Sequence, residues 1–158
     1  MTTGRIESIH IAPATSAPTT AVERVETVAG EGIVDDRILV EARRDGVSVL
    51  PKRQLTLVEA EAVEALTRDY GIPFTAAESR RNLCTRGVAV NHLVGKTFRI
   101  GGATLRGVEL CEPCGTLERL TGKKGVVKGL IHRGGLRAEI LEGGIISVGD
   151  TIDVTPPA

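Results

Sequence analysis

The chain has no tryptophan, and aromatic residues make up only 2% of its 158 positions. A core must therefore be assembled from Val, Ile, Leu and Ala, and the stacking platforms that hold unpaired bases are nearly missing. An excess of one charge is lacking too, since 20 Lys and Arg balance 20 Asp and Glu. With no net field to draw in nucleic acid or an acidic membrane, partners have to be argued from local sites. No apolar run approaches the roughly 18 to 20 residues of a membrane span. The stretch from Met1 to Ile11 has a single Arg and no apolar core of a signal peptide. Cysteine is scarce: Cys84, Cys111 and Cys114 are an odd set of three in a chain long enough to bury a core without disulfide staples. These absences predict one domain over residues 1–158 in a reducing, cytoplasmic compartment, with neither nucleic acid nor membrane as partner.

Glycine is plentiful, with 19 residues, and it punctuates short apolar runs. Residues 4–11 alternate as a strand does and end at Pro13. Residues 22–28 have apolar positions three apart, but their β-branched content favours an irregular strand. Residues 30–37 form a turn-rich acidic loop closing on Arg37. Residues 38–42 and 47–50 flank Arg43-Arg44-Asp45-Gly46, whose Asp-Gly pair predicts a β-hairpin. Residues 54–58 read as a short strand leading into an Ala, Glu and Leu-rich helix over 59–68. Thr56 is its candidate N-cap, Gly71 its C-cap, and Pro73 lies beyond. Two strands follow around Gly101-Gly102. Residues 136–141 and 145–148 read as another pair joined through Glu142-Gly143-Gly144, before a last strand over 151–154. Many short strands, glycine turns and one strong helix predict a mainly β protein, a closed barrel or sandwich, with few peripheral helices.

Two stretches carry chemistry. Cys111-Glu112-Pro113-Cys114 lies between a strand-like run and a helix-like run over 116–120. A thiol just before a helix meets unpaired N–H groups, which favour thiolate, the form that attacks sulfur or binds a soft metal. Upstream, residues 78–87 gather Arg80, Arg81, Asn82, Cys84 and Arg86. Arginine forks bind phosphate bidentately, and the asparagine amide suits a heterocycle edge. Against these stand blander readings: an exposed basic loop, buried inert thiols, a thioredoxin-like redox pair without its βαβ setting, or a zinc site drawn from the three cysteines with His92 or His132. No Walker A loop, dinucleotide fingerprint or ferredoxin-type cysteine spacing is present.

The order Gly32-Ile33 with Asp36-Arg37, then Arg81-Asn82-Leu83, Leu93-Val94-Gly95-Lys96, Pro113-Cys114, Gly134-Gly135-Leu136 and Gly143 through Asp150 resembles a MOSC domain, the family named for the C-terminal domain of molybdenum cofactor sulfurase. The resemblance runs from about Ile6 to Val154 and implies a β-barrel of the pyruvate-kinase-barrel type. It also implies work on the molybdenum cofactor, with a cysteine that carries a persulfide or ligates molybdenum. Pro113-Cys114 matches the Pro-Cys of small bacterial members, which makes Cys114 the expected metal ligand and reactive thiol, with Cys111 the alternative. Arg80, Arg81 and Arg86 become candidates for the cofactor phosphate, Asn82 for its ring edge, and Arg37 and His132 for completing the pocket. Expected partners are the cofactor itself and a sulfur donor of the cysteine desulfurase class or a redox protein. The redox case implies a molybdenum-dependent reductase component acting on N-hydroxylated compounds. The sulfurase's pyridoxal phosphate belongs to a separate domain, and nothing in this chain offers it a site. One departure stands out: many members have Gly-Asp-Arg where this chain has Asp35-Asp36-Arg37, and Asp reaches positive φ less freely than Gly.

Overall fold

A ring of hydrogen-bonded strands can alternate in direction all the way round only if their number is even. The computed structural model, which describes residues 3–154, closes a ring of seven. In chain order the elements are β1 (Thr3–Ile11), β2 (Thr20–Val22), β3 (Arg24–Val28), β4 (Gly32–Ile33), α1 (Arg37–Asp45), β5 (Leu55–Glu59), α2 (Ala60–Tyr70), α3 (Ala76–Ser79) and β6 (Leu83–Arg86). Then come β7 (Thr97–Ile100), β8 (Ala103–Leu110), α4 (Gly115–Thr121), α5 (Val126–Leu130), β9 (Leu136–Glu142), β10 (Gly144–Ser147) and β11 (Thr151–Val154). The sheet order β11-β7-β8-β9-β5-β6-β1 is closed by β1 pairing with β11, and β2 extends it from β1. An odd ring requires a parallel pair, and it is β5 with β6. Parallel neighbours need a long crossover, and that crossover is α2 with α3. β10, β3 and β4 form a second small sheet.

Alternation along each strand sorts the side chains. Leu55, Leu57, Leu83, Leu136 and Ala138 point into the barrel core with Phe98, Ile100 and Leu105. On the outer side, Val58 and Cys84 meet α2, α4 and α5 through Val63, Leu66, Leu117, Val126 and Leu130. Burying a leucine of this kind contributes about 1.5–3 kcal/mol, so aliphatic residues suffice without tryptophan. No helix among the described residues is long and apolar enough to cross a membrane.

Three local expectations are corrected. The predicted hairpin around Asp45-Gly46 is instead the end of α1: Gly46 sits at φ 67° and its N–H returns to the carbonyl of Ala42. An Asp-Gly pair serves a helix C-cap as well as a hairpin turn, and the burial of Leu39 on the inner side of α1 decides for the helix. The strands on either side of Gly143 do not pair with each other, since β9 joins β5 and β8 while β10 crosses to β3. Thr56 is not an N-cap, because α2 starts after Glu59. Thr56 belongs to β5, where it faces outward.

Candidate functional site

Thr56 of β5, Arg137 of β9 and Asn82, just before β6, make one wall. Register sets Thr56 opposite Arg137 and Leu57 beside Leu83, which brings Asn82 next to Thr56. The bond from the Thr56 amide to Asn82 Oδ1 is 3.1 Å, and that from the Asn82 amide to Thr56 Oγ1 is 3.0 Å. The wall bounds a cavity of about 210 Å³ into which five arginines converge: Arg37, Arg53, Arg80, Arg81 and Arg137. Thr56, Asn82 and Cys111 complete that side of the lining.

Arg81 is the most constrained of the five. Its Nε donates to the carbonyl of Gly134 at 2.8 Å, Nη2 to that of Cys111 at 3.2 Å and Nη1 to that of Ser79 at 3.4 Å. Three fixed donors leave two of the five guanidinium N–H groups unassigned. Burial pushes the Arg81 pKa down, Arg137 and Arg37 push the same way, and the sulfurs of Cys111 and Cys114 partly offset this. Among the described residues Arg53, Arg80 and Arg81 have no carboxylate within ion-pair reach. Arg37 reaches Asp36 at 3.4 Å and Arg137 reaches Glu109 at 3.8 Å. Asp36, 1% exposed, is the buried counter-charge: it also accepts the amide of Ala12 at 3.0 Å and Asn82 Nδ2 at 3.4 Å.

The turn that delivers Asp36 is strained. The Asp36 amide bonds the carbonyl of Ile33 at 3.1 Å, and Asp35, third residue of that turn, sits at φ 70°. Type II turns favour glycine at that position, so Asp35 holds a backbone conformation ordinarily left to glycine.

The two cysteines of the Cys-x-x-Cys stretch are separated by the fold. Cys111, 3% exposed, is held by its amide to the carbonyl of Gly135 at 2.8 Å and lines the arginine cavity. Cys114 is exposed and stands at the N-cap of α4. No full cap hydrogen bond reaches its sulfur. Nonetheless the Thr116 hydroxyl first, then the amides of Thr116 and Leu117 and the charge of Arg81, hold the Cys114 thiol below the usual cysteine range despite some burial. Cys84 is the contrast: apolar packing pushes its pKa up to about 11.

Of the residues expected from the sequence, Arg37, Arg80, Arg81, Asn82 and Cys111 share this cavity, with Cys114 near enough to feel Arg81. The Asn82 side chain is engaged within the protein at both ends of its amide. Oδ1 accepts from the amide and hydroxyl of Thr56, and Nδ2 donates to the carbonyl of His10 and to Asp36. It braces the wall. Arg86 lies elsewhere, in a fork to Glu7 at 2.7 and 3.1 Å and paired with Glu64. His132 points to solvent and pairs its Nδ1 with Glu112 at 2.8 Å. Arg53 and Arg137 were not singled out from the sequence. The signal for Arg137 is its outward place in an alternating strand, and it becomes readable only once β9 is known to pair with β5, and β5 with β6, the strand that Arg81 leads into.

No group of three or more His, Cys, Asp or Glu among the described residues is placed to hold a metal ion. The zinc alternative therefore loses its ligand set, and Cys84 packs among aliphatic side chains under the helices. The thioredoxin-like alternative loses its setting, because Cys111 follows a barrel strand rather than closing a βαβ unit.

The MOSC domain profile matches residues 43–153. The chain belongs to the MOSC domain family. The fold agrees with solved structures of MOSC-type barrels. The YuaD protein from Bacillus subtilis is similar over 99% of this chain and 97% of its own, at 19% identity and a TM-score of 0.82. YiiM from Geobacillus stearothermophilus is similar over 97% of this chain and 75% of its own, at 18% identity and a TM-score of 0.74. YiiM from Escherichia coli gives 98% and 71%, at 17% identity and a TM-score of 0.70. These likenesses concern the fold. A sequence search among curated proteins finds no match. The MOSC profile begins within α1, so Asp36 and Arg37 enter the site from the segment just before it.

Proposed function

We propose that this MOSC protein binds the molybdenum cofactor by its phosphate in the arginine cavity and presents a cysteine thiolate at the cavity's mouth to sulfur or metal. The observation that carries this reading is Arg81: a half-buried guanidinium, fixed by three backbone carbonyls and surrounded by other arginines, with no carboxylate partner among the described residues. A partly desolvated cation without a counter-ion is destabilising, and an anion taken into the cavity offsets that cost. The donor set fits the group, since guanidinium forks match phosphate oxygens and an exposed low-pKa thiol matches a soft partner. When bound, the cofactor supplies a molybdenum centre.

The chain's own residues have separable tasks. Arg81 directs its remaining N–H groups at the anion, and Arg37, Arg53, Arg80 and Arg137 supply the surrounding positive field. Asp36, Asn82 and Thr56 hold the wall in register. In the sulfur-carrier form of this reading, the Cys114 thiolate attacks the terminal sulfur of a donor persulfide. The new S–S bond forms on Cys114 as the donor's own sulfur leaves as thiolate. Cys111 is shielded from such a donor by its burial.

The test is elemental analysis and oxidised-pterin fluorescence on protein purified from a cofactor-producing host, with Cys114→Ser alongside. Pterin bound in both forms, with molybdenum lost only in the variant, supports direct ligation and leads to reductase assays with an external electron donor. Pterin without molybdenum, and a persulfide on Cys114, supports sulfur carriage. Absence of pterin from both rejects the reading.

A further inference from the structure

The arginine cavity holds a nucleophile as well as cations. Cys111 is closed off from the outer surface, yet it lines the cavity together with Arg53, Arg80 and Arg81. Its backbone is pinned on both sides: the amide donates to the carbonyl of Gly135 at 2.8 Å, and the carbonyl accepts from Arg81 Nη2 at 3.2 Å. Thiol and guanidinium are thereby parts of one fixed unit. Of the charges around Arg81, the Cys111 sulfur does most to hold the arginine's proton, ahead of Cys114.

The donors left over define the guest. Arg81 keeps two N–H groups after its three carbonyl bonds, and Arg80 spends only Nη1, on the carbonyl of Ala17 at 2.6 Å. Arg53, exposed at the rim, has no carboxylate partner among the described residues. At about 210 Å³ the space falls short of the roughly 300 Å³ at which small-molecule sites begin, so it suits a compact anion taken in whole. Guanidinium forks match the oxygens of such an anion, and a thiol attacks sulfur. Thiosulfate offers both: three oxygens at one end and a transferable sulfur at the other.

We infer that the arginine cavity is a sulfur-transfer site for thiosulfate, with the oxygens held among the arginines and Cys111 as the acceptor of the outer sulfur. The inference rests on the anion-binding reading of the cavity and gives it a small sulfur donor, separate from the protein persulfide that Cys114 meets outside. The Cys111 sulfur attacks the outer sulfur of thiosulfate and a new S–S bond forms between them. The S–S bond of thiosulfate breaks, its electron pair leaves on sulfite, and the thiol proton passes to the terminal sulfur of the persulfide. No external oxidant or reductant is needed. The arginines stabilise the charge that gathers on the departing sulfite. Cofactor phosphate and thiosulfate use the same donors, so they bind in turn.

The test incubates the reduced full chain with thiosulfate, measures sulfite release, and locates any added sulfur by alkylation and tandem mass spectrometry. About one sulfite per chain is expected, with the extra sulfur on Cys111. With cyanide as the acceptor, thiocyanate is expected to form over many turnovers, and Cys111→Ser to slow it about a hundredfold or more. Calorimetric titration is expected to show that variant holding thiosulfate within about twofold of the parent, because the arginines are untouched. If Cys111→Ser does not fold, the sulfur map of the parent decides. Thiosulfate bound without sulfite release, thiocyanate formed equally by the variant, or added sulfur missing from Cys111 overturns the transfer and leaves the anion-binding reading standing. Failure of both thiosulfate and inorganic phosphate to bind overturns the two together.

Discussion

Thiols of one chain differ here because their surroundings differ. Cys114 has the Thr116 hydroxyl, two amides and Arg81 favouring its thiolate, whereas Cys84 has apolar packing opposing it. Alkylation followed by mass spectrometry across pH is therefore expected to show Cys114 reacting with a midpoint below the ordinary cysteine value. Cys84 is expected to stay unreactive until pH approaches about 11. Because Thr116 is the largest contributor, Thr116→Val is expected to move the Cys114 midpoint upward, and by more than Arg81→Ala does. A midpoint unchanged in both variants would show that other groups set the thiol. Asp35 offers a second residue-level test. It is exposed and held at φ 70°, so Asp35→Gly relieves backbone strain without disturbing packing. Denaturant unfolding is expected to show a gain of about 0.5 kcal/mol, strain relief being partly cancelled by glycine's greater freedom in the unfolded chain.

At the scale of elements, the site depends on close approaches that only small residues allow. Gly135, at φ 122°, leads into β9 where a Cβ would overlap the Leu57 carbonyl and come within 3.5 Å of Arg81 Nε. Gly135→Ala is expected to lower stability by about 2 kcal/mol or more in equilibrium unfolding and to weaken phosphate binding through Arg81. Stability lost with anion affinity intact would mean that β9 and Arg81 adjust independently. The behaviour of α1 shows where local reading stops. Asp45-Gly46 satisfies the requirements of a hairpin and of a helix end equally well, and Leu39 meeting the rest of the fold settles the choice. The runs of β9 and β10 were legible as strands from their alternation, but alternation says nothing about the partner. The turn at Gly143 sends the two into different sheets.

For the molecule as a whole, β1 pairing with β11 joins the two ends of the described chain in one barrel. Every barrel strand thus has two neighbours, and none of the seven unpairs without opening the ring. A single cooperative transition, coincident by circular dichroism and calorimetry, is expected of the one-domain organisation that we propose for residues 1–158. Two separated transitions would contradict it. The arginine cavity also gives a whole-molecule prediction. A chain without net charge has no long-range attraction for anions, so phosphate binding should weaken only gradually as salt shortens the screening length from about 10 Å at 0.1 M. A steep salt dependence would indicate anion binding over the open surface.

The sequence by itself determined that this is a mainly β chain with an aliphatic core, one firm helix over α2, a thiol set just before a helix, and an arginine-rich segment at β6. Periodicity, glycine turns and residue type are local properties, and they survive without knowledge of partners. The motifs in their order also sufficed for the family resemblance. Only the tertiary structure decided that Arg53 and Arg137 join Arg37, Arg80 and Arg81, that Arg86 and His132 do not, and that Asn82 braces a wall. It also decided that Cys111 faces the cavity while Cys114 faces solvent. The physical reason is the odd ring: seven strands force a parallel pair, that pair sets β6 beside β5, and their register with β9 chooses which outward side chains meet. No local signal encodes that choice, because it is a property of closure.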